Sequence, residues 1–225
     1  IKRVSINSPI STNSRQEFYP KTPDQVTGFN FNNKHIGDTG VMLLLDQIND
    51  SDSALFLSKN NIGDIGTNSI VNFLKNNHSI KHLILSDNKI TDFAAAGLAD
   101  LLKVNHFIGW LVLNGNAIGN FGIKSIADSL RINKGVKHLI ISDNKIEDDG
   151  IVYLSKQLKE NTTIKSLFLQ GNPFGEDGIN ALTTLVQNSS SLSLIDVRDI
   201  NSVSKHCLDK LNSECQKKNI ILYTS

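Results

Sequence analysis

The chain has 225 residues, 39% of them apolar and 20% charged, with a net charge of +1 at pH 7. That near-neutral balance argues against a dominant electrostatic attraction to nucleic acid or anionic membrane, and no run approaches the roughly 18 apolar residues of a membrane span. The two cysteines, Cys207 and Cys215, form no Cys-x-x-Cys pair, and their eight-residue spacing on one late helix is too long for an internal disulfide; a reducing, cytoplasmic setting is expected.

In chain order, residues 1–25 hold Pro9, Pro20 and Pro23 among Ser, Asn and Thr and are expected to be an N-terminal extension or irregular cap. From residue 26 a frame L-x-[LI]-x-x-N-x-[IF] takes over. Its first, degenerate unit is Phe29, Phe31, Lys34 and Ile36. Five registered units follow, in which Asn60, Asn88, Asn116, Asn144 and Asn172 lie 28 residues apart. A fixed period of this length marks a solenoid of stacked repeats. The apolar residues two apart, such as Leu83 and Leu85, predict a short strand with one face on the core. The asparagine amide has both donor and acceptor, so stacked at one position per repeat it predicts a structural ladder that satisfies the bend after each strand.

The second half of each unit predicts a helix. Asp38, Asp64, Asp92, Asn120, Asp148 and Glu176 stand where helices would begin and are expected to act there as N-caps or favourable charges. Small residues two positions on, such as Gly66, Gly122 and Gly150, predict close approach of helix to sheet. Apolar residues at four-residue steps, such as Ile126 and Leu130, supply the buried stripe. Asn77, Asn105, Asn133 and Asn161 are expected to end the helices in left-handed turns. Ile195 and Val197 keep the strand phase, but Ile200 replaces the asparagine. Residues 201–225 then predict a C-terminal cap: a helix from Val203 to Lys217 and a strand from Ile220 to Tyr223.

Over residues 26–200 these six units, with a degenerate seventh strand, resemble leucine-rich repeats of the ribonuclease-inhibitor type. The resemblance implies an α/β fold: a right-handed horseshoe with a parallel β-sheet on the concave face and helices on the convex face. Because helices pack at about 10 Å and strands at about 4.8 Å, the sheet must line the inside of the arc. Relatives of this type include enzyme inhibitors, a GTPase activator, sensing halves of innate immune receptors and secreted bacterial effectors, so the resemblance is much less specific for function. The abundance of Asn, Lys, Ile and Ser is similar to that of effectors that act in a host cell.

Function is expected on the concave strand positions that the frame leaves free. The row between the two inward residues includes Phe56, Ile84, Val112, Ile140 and Phe168, a contiguous apolar strip pointing away from the core. The neighbouring row places the sole tryptophan, Trp110, between His82 and His138. Tryptophan is enriched in interface hot spots, and together these eight residues are the expected partner-binding set. A flanking row, with Ser58, Ser86, Asn114, Ser142 and Gln170, predicts a polar rim. The same residues allow a plainer reading, in which β-branched and aromatic side chains only stabilise adjacent strands. His82 and His138 stand two strands apart, about 9.6 Å, with Trp110 between, so no metal site is expected. No phosphate loop, zinc helix or nucleophile elbow is present. The expectation is therefore a monomeric, non-catalytic protein-binding module without cofactor. A GTPase regulator and the sensing domain of an immune receptor are the alternatives that the resemblance leaves open.

Overall fold

The structure, a computed structural model, describes residues 3–6, 26–200 and 203–224. The proline-bearing stretch expected to form the N-terminal extension lies outside these residues, apart from a first strand, β1 (Arg3–Ile6). Strand and helix then alternate: β2 (Val26–Asn30), α1 (Gly37–Leu45), β3 (Ala54–Phe56), α2 (Asp64–Leu74), β4 (His82–Ile84) and α3 (Asp92–Val104). The series continues with β5 (Trp110–Val112), α4 (Asn120–Ile132), β6 (His138–Ile140), α5 (Asp148–Leu158), β7 (Ser166–Phe168), α6 (Glu176–Asn188) and β8 (Leu194–Asp196). A last unit consists of α7 (Lys205–Lys217) and β9 (Ile221–Tyr223).

The nine strands form one open sheet in sequence order. β1 pairs antiparallel with β2, and every later pair is parallel and in phase, so Leu55, Leu83, Leu111, Leu139 and Leu167 stand side by side. These leucines and their partners Leu57, Leu85 and Leu113 face the helices and are 0–1% exposed. From the helix side come Ile70, Leu74, Leu98, Ile126, Leu130 and Leu154, all buried. Each such side chain contributes about 2 kcal/mol by leaving water, and no repeat can bury this face without its neighbours. The architecture is the expected α/β repeat solenoid.

Side chains tie each repeat to the one before it. Asn88 donates through Nδ2 to the carbonyl of Leu57 at 2.9 Å and to those of Leu85 and Ser86 in its own turn, while its Oδ1 accepts from the N–H groups of Asn60 and Ile62 at 3.0 Å. Asn144 repeats the pattern, donating to Leu113, Ile141 and Ser142 and accepting from Ile118. Asn116 and Asn172 do the same, and Asn60 accepts from Lys34. Strands β3 to β9 are three residues long, and backbone pairing between repeats runs on into the turns, as from Leu85 to Val112 and Asp87 to Asn114, but it does not reach the N–H groups of Ile62, Ile90, Ile118 and Ile146, which the amides satisfy.

Two expectations need correction. The helix-end asparagines do not adopt left-handed turns: Asn105 and Asn133 are extended, at φ −96°, ψ 115° and φ −67°, ψ 135°. Their amides form a second ladder. Asn133 donates to the carbonyls of Leu102 and Asn105, which the end of α3 leaves unpaired, and accepts from the N–H groups of Gly135 and Val136. Asn105 and Asn161 act in the same way. Nor do the acidic residues at the helix starts cap their own helices, although Asp38, Asp64, Asp92, Asp148 and Glu176 do place the expected favourable charge in the first turn. From there they reach forward: Asp92 Oδ1 accepts from the N–H groups of Gly119 and Gly122 at 2.6 and 2.9 Å, and Asp148 Oδ1 from those of Gly175 and Gly178. A Cβ on Gly122 would stand 2.6 Å from that Asp92 oxygen, so the small residue admits the preceding repeat's carboxylate, with the side chains of Ile118 and Ala95 nearly as close, rather than the sheet.

Replacing Asn144 by Ala leaves three carbonyls and one N–H without this partner at a buried turn. With about 1–3 kcal/mol for each buried group that water cannot reach, urea unfolding should show a loss of about 3 kcal/mol or more, and a loss under about 1 kcal/mol would contradict the role given to the ladder.

Candidate functional site

Parallel, in-phase pairing brings the expected partner-binding residues together on the sheet face opposite the helices. Ala54, His82, Trp110, His138, Ser166 and Leu194 form one row, and Phe56, Ile84, Val112, Ile140 and Phe168 the next. The second row points away from the helix-side core, but it is not a solvent-exposed strip. Phe56, Ile84, Val112, Ile140 and Phe168 are only 2%, 1%, 1%, 3% and 5% exposed, and with Ala54 they form a second apolar cluster against which Trp110 and Leu194 pack. At a strand spacing of about 4.8 Å each in-register side chain is covered by its two neighbours in the row and by the flanking rows. Pointing outward is therefore not the same as being open to a partner.

The accessible part of the expected set is the histidine–tryptophan row. Trp110 is half-buried and stacks on His138, with ring centroids 3.9 Å apart and an interplanar angle of 24°. His82 lies on its other side at 6.0 Å and 28°. Three rings on adjacent strands thus make one platform, a geometry that aromatic faces favour when offset. His138 Nδ1 lies 3.1 Å from Ser166 Oγ, and His82 Nδ1 3.5 Å from the Ser53 carbonyl.

Burial keeps both imidazoles neutral. It pushes His138 from an ordinary value of 6.5 down to about 4, with Lys137 and His82 adding to the effect. It lowers His82 as well, against the hydrogen bond to the Ser53 carbonyl and with help from Lys81. The platform at neutral pH is uncharged, aromatic and braced at its edges.

The expected polar rim is mostly buried and in part bonded to itself, while the Ser58 hydroxyl is buried without a hydrogen-bond partner among the described residues. Ser58, Ser86, Ser142 and Gln170 are buried. Ser86 Oγ donates to Asn114 Oδ1 at 2.7 Å, and Arg198 Nη2 donates to Gln170 Oε1 at 2.8 Å. Arg198 also holds the fully buried Asp196 through Nε and Nη2, at 3.0 and 2.7 Å, closing the apolar row at its C-terminal end with a paired charge. Beyond the rim, Asp87, Gly115, Asp143 and Gly171 share one turn position, all with φ between 51° and 68°. Each glycine leaves room for the carboxylate of the aspartate in the repeat before it, which accounts for their alternation.

Among the described residues no group of three or more His, Cys, Asp or Glu gathers where it could hold a metal ion, and no helix is long and apolar enough to cross a membrane. Cys207 and Cys215 are buried free thiols, and burial pushes Cys215 up to about 11.

Comparison with known proteins agrees with this geometry. The family described as Leucine Rich repeat matches residues 76–99 and 133–155, each spanning the turn after one helix, a strand, its asparagine turn and the first part of the next helix. Over these two stretches the chain is similar to leucine-rich repeats, and its fold is that of a leucine-rich repeat solenoid. No curated protein sequence matches it significantly. Among solved structures, this chain is similar to leiomodin-1 actin-binding site 2, with a TM-score of 0.58 and 16% identity over 66% of this chain and 86% of that one. At that identity the likeness concerns the fold.

Because the folded pKa of His138 lies below the unfolded value, protonation favours the unfolded chain. The stabilising contribution is complete above pH 6.5 and is lost as pH falls from 6.5 towards 4. Urea midpoints should decline over that window, and a His138→Gln variant should decline less steeply; equal slopes would show that His138 is not held neutral by the fold.

Proposed function

We propose that this repeat solenoid is a non-catalytic recognition module of the leucine-rich repeat kind that binds a partner protein on its concave side, with Trp110 as the anchor. The observation that carries this reading is the half-buried Trp110 ring, stacked between His82 and His138 above a dry apolar floor. An aromatic ring already fixed by its neighbours loses little freedom on binding, which is the property of an interface anchor. His82, Trp110 and His138 make the contact. Phe56, Ile84, Val112, Ile140 and Phe168 are the floor that holds them and the source of the low dielectric around them.

Protein binding also fits the likeness to leiomodin-1 actin-binding site 2, whose name specifies actin; actin is accordingly the first defined partner to offer this chain. The two buried free cysteines support action in a reducing compartment. The one hydroxyl beside an imidazole on the platform, Ser166 Oγ at 3.1 Å from His138 Nδ1, belongs to a residue only 3% exposed, which favours bracing of the ring over attack on a substrate.

The test is quantitative capture from cytosolic extract, and co-sedimentation with actin filaments, using the native chain and Trp110→Ala. Loss of an anchor of this kind costs about 2 kcal/mol or more, so at least one captured protein should fall by more than about tenfold. A Trp110→Ala chain with native thermal stability that keeps every partner at the native level contradicts the reading.

A further inference from the structure

The helical side carries an apolar feature that concave binding does not use. The second residue of α2, α3 and α4 is Ile65, Phe93 and Phe121, and these side chains are 65%, 71% and 65% exposed. They share one register position, so they align across three adjacent helix starts. The scaffold does not require them, because the same position in α5 and α6 holds exposed Asp149 and Asp177. Beside Phe93, Ala96 and Gly97 keep the surface of α3 low; a Cβ on Gly97 would stand 2.5 Å from Asn68 Oδ1. Three large apolar side chains standing in water in one line, next to shallow ground, mark a docking edge.

We infer that this edge docks an amphipathic α-helix of a partner protein, with apolar residues seven apart over Ile65, Phe93 and Phe121 and basic residues continuing the same face over Asp149 and Asp177. The spacing selects the helix. Neighbouring solenoid helices lie about 8–10 Å apart and diverge outward on the convex side, while a crossing helix rises about 10.5 Å in seven residues. An extended strand repeats its facing side chain about every 6.8 Å and falls out of step after one repeat. Charge sets the direction. Asp64, Asp92, Asp148 and Glu176 are all engaged with the next repeat, so the difference lies at the second helix position, where α5 and α6 carry the exposed carboxylates of Asp149 and Asp177 and α2 to α4 carry none. Asp149 pairs with Lys124 at the surface, a contact that a partner's cation can replace.

The probe is a fluorescent synthetic helix-forming peptide with leucines at three successive seven-residue steps and lysines at the next two, titrated with the native chain at physiological salt. Saturable binding is expected, weakened by more than about tenfold in a Phe93→Ser, Phe121→Ser chain and by glutamates in place of the two lysines. Because the substituted side chains are exposed, the thermal midpoint of the variant should stay native. Trp110→Ala should bind the peptide as the native chain does, so failure of this inference and failure of the concave reading are distinguishable. Absence of binding, or binding that ignores the serine substitutions or the charge reversal, overturns the inference. So does sedimentation of the native chain as a dimer that the serine variant abolishes, which assigns the edge to a second copy, or Phe93-dependent binding to neutral phosphatidylcholine vesicles, which assigns it to lipid.

Discussion

The structure depends on side-chain amides and carboxylates that reach from one repeat to the next. Backbone hydrogen bonds join the short strands and the start of each turn, and the turns still hold buried donors and acceptors that are costly to leave unpaired. The asparagines after the strands, those after the helices and the acidic residues at the helix starts each bridge consecutive repeats. Hydrophobic burial drives the stacking, and these three polar lines set its phase. A slip of one residue would break all three at once and turn the leucines to the wrong face.

Phase is also what creates the candidate site. No single repeat contains a recognisable functional feature. Trp110 becomes the centre of a platform only because His82 and His138 occupy the same position in the repeats on either side, and Ile65, Phe93 and Phe121 become an edge for the same reason. The neutral imidazoles follow from the apolar floor beneath them, so the chemistry of the platform rests on the packing of Phe56, Ile84, Val112, Ile140 and Phe168.

Much of this was legible in the order of residues. The 28-residue frame located the strands, and the helix and strand expected after residue 201 appear as α7 and β9. What failed were directions that a one-dimensional pattern does not carry. A helix-start aspartate normally caps its own helix; Asp92 and Asp148 instead find the next repeat's N–H groups closer. Asparagine after a helix commonly turns left-handed, yet Asn105 and Asn133 stay extended because their amides bond the carbonyls of the preceding helix end. The alternation rule correctly turned Phe56 and Ile84 away from the helices, but burial depends on neighbours in the row, which alternation does not count. Ile65, Phe93 and Phe121 stand at the same 28-residue spacing, between the aspartate or asparagine and the small residue of each helix start.

Amide hydrogen exchange resolved by residue tests the inter-repeat account most directly. The N–H groups of Ile62, Ile90, Ile118 and Ile146 belong to turns, yet each donates to the asparagine of the following repeat. They should exchange as slowly as the strand residues Leu83 and Leu111, opening only with the repeats themselves. Exchange at the rate of exposed turns, with the strands still protected, would mean that the amide ladder does not hold the solenoid in register.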